Sequence, residues 1–169
     1  LARSRGLGDV YKRQELRIVE LNTLEDFCFA IKEMQVRGAP LIGVTAAYGM
    51  YVASKTTKNF SELEKAGDSL KSTRPTAVNL SWAVDKIITE IKDMEKSSLQ
   101  EIILSIANEI RDQDIINCKA IGENGSKLIE NIYKKTQKKV NVLTHCNAGW
   151  LAAVDWGTAL APIFIANQK

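Results

Sequence analysis

Residues 140–166 read VNVLTHCNAGWLAAVDWGTALAPIFIA, and this stretch decides the fold class. VNVLT (140–144) is a short run rich in β-branched residues, the composition of a strand. HCNAG (145–149) is a tight loop, and the apolar run from Trp150 to Ala166 has the length and character of a helix. Strand, tight loop and helix in that order open a βαβ unit. From about residue 138 onward the chain therefore reads as the start of an α/β domain.

Upstream the periodicity is helical. LRIVEL (16–21) reads as one short strand. Thr23 with Asp26 three residues later has the form of a capping box. It opens a helix with Leu24, Phe27, Cys28, Ile31 and Met34 on one face. In VRGAP (36–40), Gly38 can take a positive φ and Pro40 suits a first helical turn. LIGVTAAYGMYVA (41–53) is apolar on nearly every face, so the spacing predicts a buried helix. Its Gly43, Ala46, Ala47 and Gly49 permit close packing. Residues 54–73 read as a turn and an exposed helix. RPTAVNLSWAVDKIITEI (74–91) then places Val78, Trp82, Val84, Ile87, Ile88 and Ile91 on one side of another helix. Residues 98–134 carry a long helical pattern, and the Gly122 and Gly125 pair is expected to kink or break it. Lys134, Lys135, Lys138 and Lys139 read as a solvated helix end. The chain thus divides into a mainly helical domain, residues 15–137, and the opening of an α/β domain, residues 138–169.

Composition narrows the classes further. At 169 residues, 45% hydrophobic and 25% charged, this is ordinary globular sequence and not a low-complexity one. No apolar run reaches the ~18 residues of a membrane span. Cys28, Cys118 and Cys146 are odd in number and widely spaced, which fits neither a zinc pattern nor a secreted disulfide framework. The expected compartment is a reducing cytoplasm. The net charge of +3 is confined to residues 1–14, which hold four basic residues and one acid; elsewhere the two signs cancel. Nucleic acid and membrane are therefore not expected as partners. Ser4 to Gln14, SRGLGDVYKRQ, resembles the translation of a transposase-type sequencing adapter, so residues 1–14 are set aside as a foreign stretch. The chain halts at Asn167-Gln168-Lys169 after an apolar stretch with no closing element, and it reads as a fragment.

Three short stretches carry chemistry. In THCNAG (144–149), Cys146 sits after a strand and before a helix, where open α/β sheets bind ligands. Backbone N–H groups there would lower its thiol pKa and let it serve as thiolate or acid. The competing reading is a small buried residue, the ordinary fate of a free cysteine. His145 beside it suits an orienting role better than metal binding, since no second ligand has suitable spacing. Cys28 and Cys118 lie on apolar helix faces and read as core. In Arg37-Gly38-Ala39-Pro40, an arginine fork and a helix start can address one phosphate, although taken alone a loop-capping arginine is the better reading. Arg74-Pro75-Thr76-Ala77-Val78-Asn79-Leu80 repeats the arrangement. Two arginines at helix starts and a thiol at a switch point suggest a phosphorylated small molecule.

Taken together, VRGAPLIGVTAAYG, RPTAVNLSWA, IGENG (121–125) and LTHCNAGWLAAVDWGTAL resemble the S-methyl-5-thioribose-1-phosphate isomerase family, in matching order. The resemblance runs from about Glu15 to the end and covers roughly the N-terminal half of such a chain. It implies an α/β protein with an N-terminal mainly helical domain, followed here by the first strand–loop–helix of a truncated Rossmann-like domain. It also implies an aldose–ketose isomerase, an intramolecular oxidoreductase of methionine salvage, that converts 5-methylthioribose 1-phosphate to 5-methylthioribulose 1-phosphate. Such enzymes need no cofactor and no metal and form homodimers. Carried over by motif, Cys146 is the catalytic cysteine. Arg37, Gly38 and Ala39 are the substrate-binding segment, and Arg74 is the second substrate-binding arginine. The partnering catalytic aspartate falls outside these residues, and Asp155 does not replace it, so this fragment alone is expected to be inactive. Trp150 departs from the small residue expected after HCNAG. The rival readings are a ribose-1,5-bisphosphate isomerase and a non-catalytic regulatory subunit of the translation initiation factor 2B type. An intact HCNAG loop argues against the second.

Overall fold

A computed structural model of the chain describes residues 4–5, 18–92, 94, 99–145 and 148–168. The order of elements is β1 (Ser4–Arg5), β2 (Ile18–Val19), α1 (Leu24–Lys32), α2 (Ala39–Ser54), α3 (Phe60–Thr73), α4 (Val78–Ile91), α5 (Leu99–Thr136), a 3₁₀ turn (Gly149–Leu151) and α6 (Ala161–Asn167).

The capping box forms as the sequence predicts. Asp26 N–H donates to Thr23 Oγ1 at 3.2 Å, and Asn22 and Thr23 N–H both donate to Asp26 Oδ2 at 2.9 Å. The α1 helix buries Phe27, Ala30 and Ile31. Uniform apolarity puts α2 at the centre of the bundle, where α1, α3, α4 and α5 all pack on it. Its glycines are points of close approach: a Cβ on Gly43 would meet the Asn79 carbonyl of α4 at 2.9 Å. Around α2 lie Leu63 and Leu70 of α3, Leu80, Val84, Ile87 and Ile91 of α4, and Ile103, Ile106 and Ile110 of α5.

Four sequence expectations change. On α4 the buried side is Leu80, Ala83, Val84, Ile87 and Ile91, whereas Val78 is 77% and Trp82 52% exposed. The helix begins only at Val78, and the Leu80–Ala83–Val84–Ile87 spacing turns the N-terminal Val78 and Trp82 outward. Secondly, α5 runs unbroken through Gly122 and Gly125 for 38 residues. Their purpose is contact with α6. A Cβ on Gly122 would lie 2.7 Å from Ile165 Cδ1 and 2.9 Å from Ala161 Cβ, and one on Gly125 would lie 2.6 Å from Pro162 Cγ.

Thirdly, VNVLT forms no strand. A strand is defined by a ladder partner, and the one ladder among the described residues pairs Ser4–Arg5 with Ile18–Val19, antiparallel. Residues 141–145 are exposed, Leu143 to 97%. That ladder reduces the strand expected over 16–21 to Ile18–Val19, both exposed, and its other side lies within residues 1–14. Fourthly, the helix expected from Trp150 to Ala166 is two short pieces joined by an irregular turn. Gly149 (φ 86°), Trp156 (φ 61°) and Gly157 (φ 76°) all have left-handed backbone, which interrupts a right-handed helix. Pro162 then falls in the first turn of α6.

Candidate functional site

The two arginine motifs sit at equivalent places. Arg37 precedes Gly38, the N-cap of α2, and is half-buried with its Nε shielded from solvent. Gly38 has φ 92°, a conformation that suits glycine. Ala39 opens the helix and is exposed. Arg74 terminates α3, half-buried, and accepts the Ala77 N–H on its carbonyl at 2.9 Å, so the RPTA segment is a turn leading into α4.

The starts of these two helices differ from those of α1 and α3. At α1 and α3 a side chain caps the helix and an acid occupies the first turn: Thr23 with Asp26, and Asn59 with Glu62. Neither α2 nor α4 has a side-chain cap or an acid in its first turn. Both therefore leave the positive end of the helix dipole without a side-chain partner, each beside an arginine; at α2 the Leu41 N–H is taken by the Ala152 carbonyl and Pro40 has no N–H. That is a setting for an anion.

Cys146, the expected catalytic residue, lies outside the described residues, as does Asn147. His145 before it is exposed. The turn after the loop meets the first motif. Gly38 abuts Ala152: a Cβ on Gly38 would lie 2.3 Å from Ala152 Cα. Leu41 N–H, in the first turn of α2, donates to the Ala152 carbonyl at 3.2 Å. The turn closes on itself through Gly157, where a Cβ would collide with Gly149 Cα at 2.1 Å. The RGAP segment is thus joined to the chain that follows HCNAG, and the Gly43–Asn79 contact joins α2 to the second motif.

The sequence reading misses Asp114. Its Oδ2 accepts the Val154 N–H at 2.7 Å, and its Oδ1 lies 3.9 Å from Cys118 Sγ. Burial pushes the Asp114 carboxyl up, with the Val154 N–H opposing the shift. Burial likewise raises the Cys118 thiol, and so does the Asp114 charge. Both border a cleft of about 290 Å³ between α2, α4 and α5, lined also by Pro40, Asn79, Trp82 and Thr158. A signal exists: Ile110, Asp114, Cys118, Gly122 and Ser126 follow one another at four-residue steps, and an acid in such a stripe is out of place on a merely solvated face. Asp155 is exposed and engages the neighbouring Trp156 N–H at 2.7 Å. Among the described residues no three His, Cys, Asp or Glu side chains come together to hold a metal, and no helix is long and apolar enough to cross a membrane.

An α-helical bundle whose second and fourth helices start beside arginines without side-chain caps also invites comparison with known proteins. A family model, the Initiation factor 2 subunit family, matches residues 35–167, and the chain belongs to that family. The methylthioribose-1-phosphate isomerase of Methylorubrum extorquens is 50% identical over 148 residues, which is 88% of this chain and 40% of that protein. The crystal structure of 5-methylthioribose 1-phosphate isomerase from Pyrococcus horikoshii OT3 superposes with a TM-score of 0.79 at 33% identity, over 92% of this chain and 44% of that one. Translation initiation factor eIF-2B subunit delta from A. fulgidus gives 0.77 at 34% identity, over 92% and 46%. The chain spans about 40% of the length of the curated relatives it matches.

Proposed function

We propose that this chain works within an aldose–ketose isomerase that converts 5-methylthioribose 1-phosphate to 5-methylthioribulose 1-phosphate in methionine salvage. The observation that carries the reading is the pair of helix starts, α2 and α4, each preceded by an arginine and free of side-chain caps and first-turn acids. Arg37 with the Gly38–Ala39 backbone, and Arg74, hold the substrate. The relatives' names, at close to half identity, specify the sugar.

The reaction is demanding because phosphate on the anomeric oxygen prevents spontaneous opening to a free aldehyde. The ring C1–O4 bond breaks and O4 takes a proton. Hydrogen moves from C2 to C1, through an enediol or by hydride shift, and the C2 hydroxyl loses its proton to become the ketone. Cys146 supplies a thiol to this proton traffic, together with an aspartate from elsewhere in the active enzyme, in a site closed to water. No cofactor or metal takes part, the enzyme is a cytoplasmic homodimer, and the 169-residue chain alone is inactive.

Residues 15–137 form the helical domain of this proposal and 138–169 the first piece of a Rossmann-like one, with residues 1–14 foreign to both. The exposure of Val142 and Leu143 in a β-branched run supports the second assignment, because such residues belong in a covered sheet. A second reading, a non-catalytic subunit of the initiation-factor type, is favoured by the nearly equal superposition on the A. fulgidus subunit.

The test uses the complete product of the reading frame that encodes this chain, with conversion of 5-methylthioribose 1-phosphate followed by proton NMR. The isomerase reading expects turnover, abolished by Cys146→Ala with substrate binding retained. Absence of turnover in the unmodified protein points to the non-catalytic reading. Normal turnover in Cys146→Ala removes the cysteine from the mechanism.

A further inference from the structure

Asp114 is an expensive choice for the place it occupies. It stands half-buried on α5 between the buried Ile110 and Cys118, beside an apolar cleft, where desolvation works against its charge. If packing alone were at stake, an apolar residue of similar volume would serve better. What the carboxylate does there is hold one backbone group, the Val154 N–H at 2.7 Å. A charged acceptor at that distance makes one of the stronger hydrogen bonds.

Val154 belongs to the turn between HCNAG and α6, and that turn has a second tie. Two residues earlier, the Ala152 carbonyl accepts the Leu41 N–H, and the Ala152 Cα fills the space where Gly38 lacks a side chain. The chain of contact is therefore Asp114, Val154, Ala152, then Gly38 and Leu41. Its far end brackets Ala39 and Pro40 and lies one residue from Arg37. Only Ala153, itself buried, separates Val154 from Ala152, so a shift at Val154 reaches Ala152 through a single packed residue.

We propose that Asp114 is a positioning residue: by fixing the turn at Val154 it seats Ala152 against the start of α2 and so sets the geometry in which Arg37, Gly38 and Ala39 receive the substrate phosphate. This rests on the isomerase reading for the identity of the ligand, though not for the mechanical link. It acts through the turn and does not touch substrate.

The experiment compares Asp114→Leu, which keeps the number and branching of side-chain heavy atoms and removes the acceptor, with Asp114→Asn, which retains an oxygen for the Val154 N–H. In the complete gene product the proposal expects Asp114→Leu to raise KM for 5-methylthioribose 1-phosphate about tenfold, the equivalent of one lost charge-assisted hydrogen bond. It expects kcat to stay within about twofold, and Asp114→Asn to restore KM. A role confined to folding would lower kcat through loss of active molecules and leave KM alone. That result, or an Asp114→Asn variant no better than Asp114→Leu, overturns the proposal. A second measurement needs no activity: hydrogen exchange at the Leu41 amide of this chain. It should quicken about tenfold in Asp114→Leu and be restored in Asp114→Asn; an unchanged rate breaks the link from Val154 to α2. An unmodified protein without isomerase activity defeats the isomerase reading, and the exchange result then decides the positioning role by itself. Should Asp114→Leu fail to fold, the same exchange in Asp114→Ser decides it, with faster exchange expected and an unchanged rate contrary.

Discussion

The two halves of α5 are one continuous helix built to different rules. The first half turns Ile103, Ile106, Ala107 and Ile110 into a core shared with α2 and α4. The second half turns Asp114, Cys118, Gly122 and Gly125 toward the 149–157 turn and α6. Large apolar side chains give the first half its hold, through area removed from water. In the second half the residues are small or polar, and the hold depends on how closely two backbones approach and on one hydrogen bond. The bundle is thus a generic solution to burying apolar surface, while the region carrying the candidate site is fitted atom by atom. Residues on the two halves should differ in how far their substitution effects spread.

The largest effect is expected in the first half. Ile103 is fully buried, and Ile103→Ala should cost about 2–5 kcal/mol, the transfer term plus the cavity left behind. Chemical denaturation followed by helical circular dichroism measures it, and α1 to α5 should lose stability as one cooperative unit. A loss below about 1 kcal/mol would mean that the site collapses around the gap, and the contrast between the halves would lose its first term.

The second half should give a smaller and more local response. Gly122→Leu places a side chain where Ile165 and Ala161 already sit, an overpacking cost of about 1–3 kcal/mol. Since α6 contributes only Ala161 to the buried set, the expected result is release of α6 with the bundle still folded. Amide exchange should rise over residues 161–167 and stay unchanged over α2 and α4. Equal destabilisation of the whole molecule would show that α6 and the bundle form one cooperative unit.

The same contrast explains what is legible in the sequence. Helical periodicity places α1 to α5 because each buries a stripe or a whole surface, and burial leaves a repeating trace in sequence. The capping box at Thr23 and the turn at Gly38 are equally visible, since each needs particular residue types at fixed offsets. Val78 and Trp82 are misassigned by pattern because hydrophobicity does not say which side of a helix meets a neighbour when apolar residues occupy both. Gly122 and Gly125 read as breakers because a glycine looks the same whether it frees the backbone or admits another chain. VNVLT carries strand composition, but a ladder is a property of two segments, and composition reports on one. Of the site, the arginine motifs are legible and meet structural partners. The tie through Asp114 is not, because its acceptor role joins residues 40 positions apart.

The smallest effect belongs to the entry of α1, far from both halves of α5. Removing the cap with Thr23→Ala should cost about 1 kcal/mol, since one first-turn N–H loses its acceptor. Asp26 supplies the other half of the box, and the Asn22 N–H, then the Thr23 N–H, hold its carboxyl below the ordinary value of 3.8. A carboxyl whose folded pKa is lowered releases its proton more readily in the folded chain than in the unfolded one. Its contribution is therefore complete above the ordinary value and is lost as pH falls through the folded value. Asp26→Asn should leave a chain whose stability declines less between pH 5 and pH 3 than that of the unmodified protein, the linkage of this one carboxyl being removed. Thermal melts across that range measure the difference in slope. Parallel slopes would show that the box forms in the unfolded chain as well, and then α1 would owe its place to Phe27 and Ile31 alone.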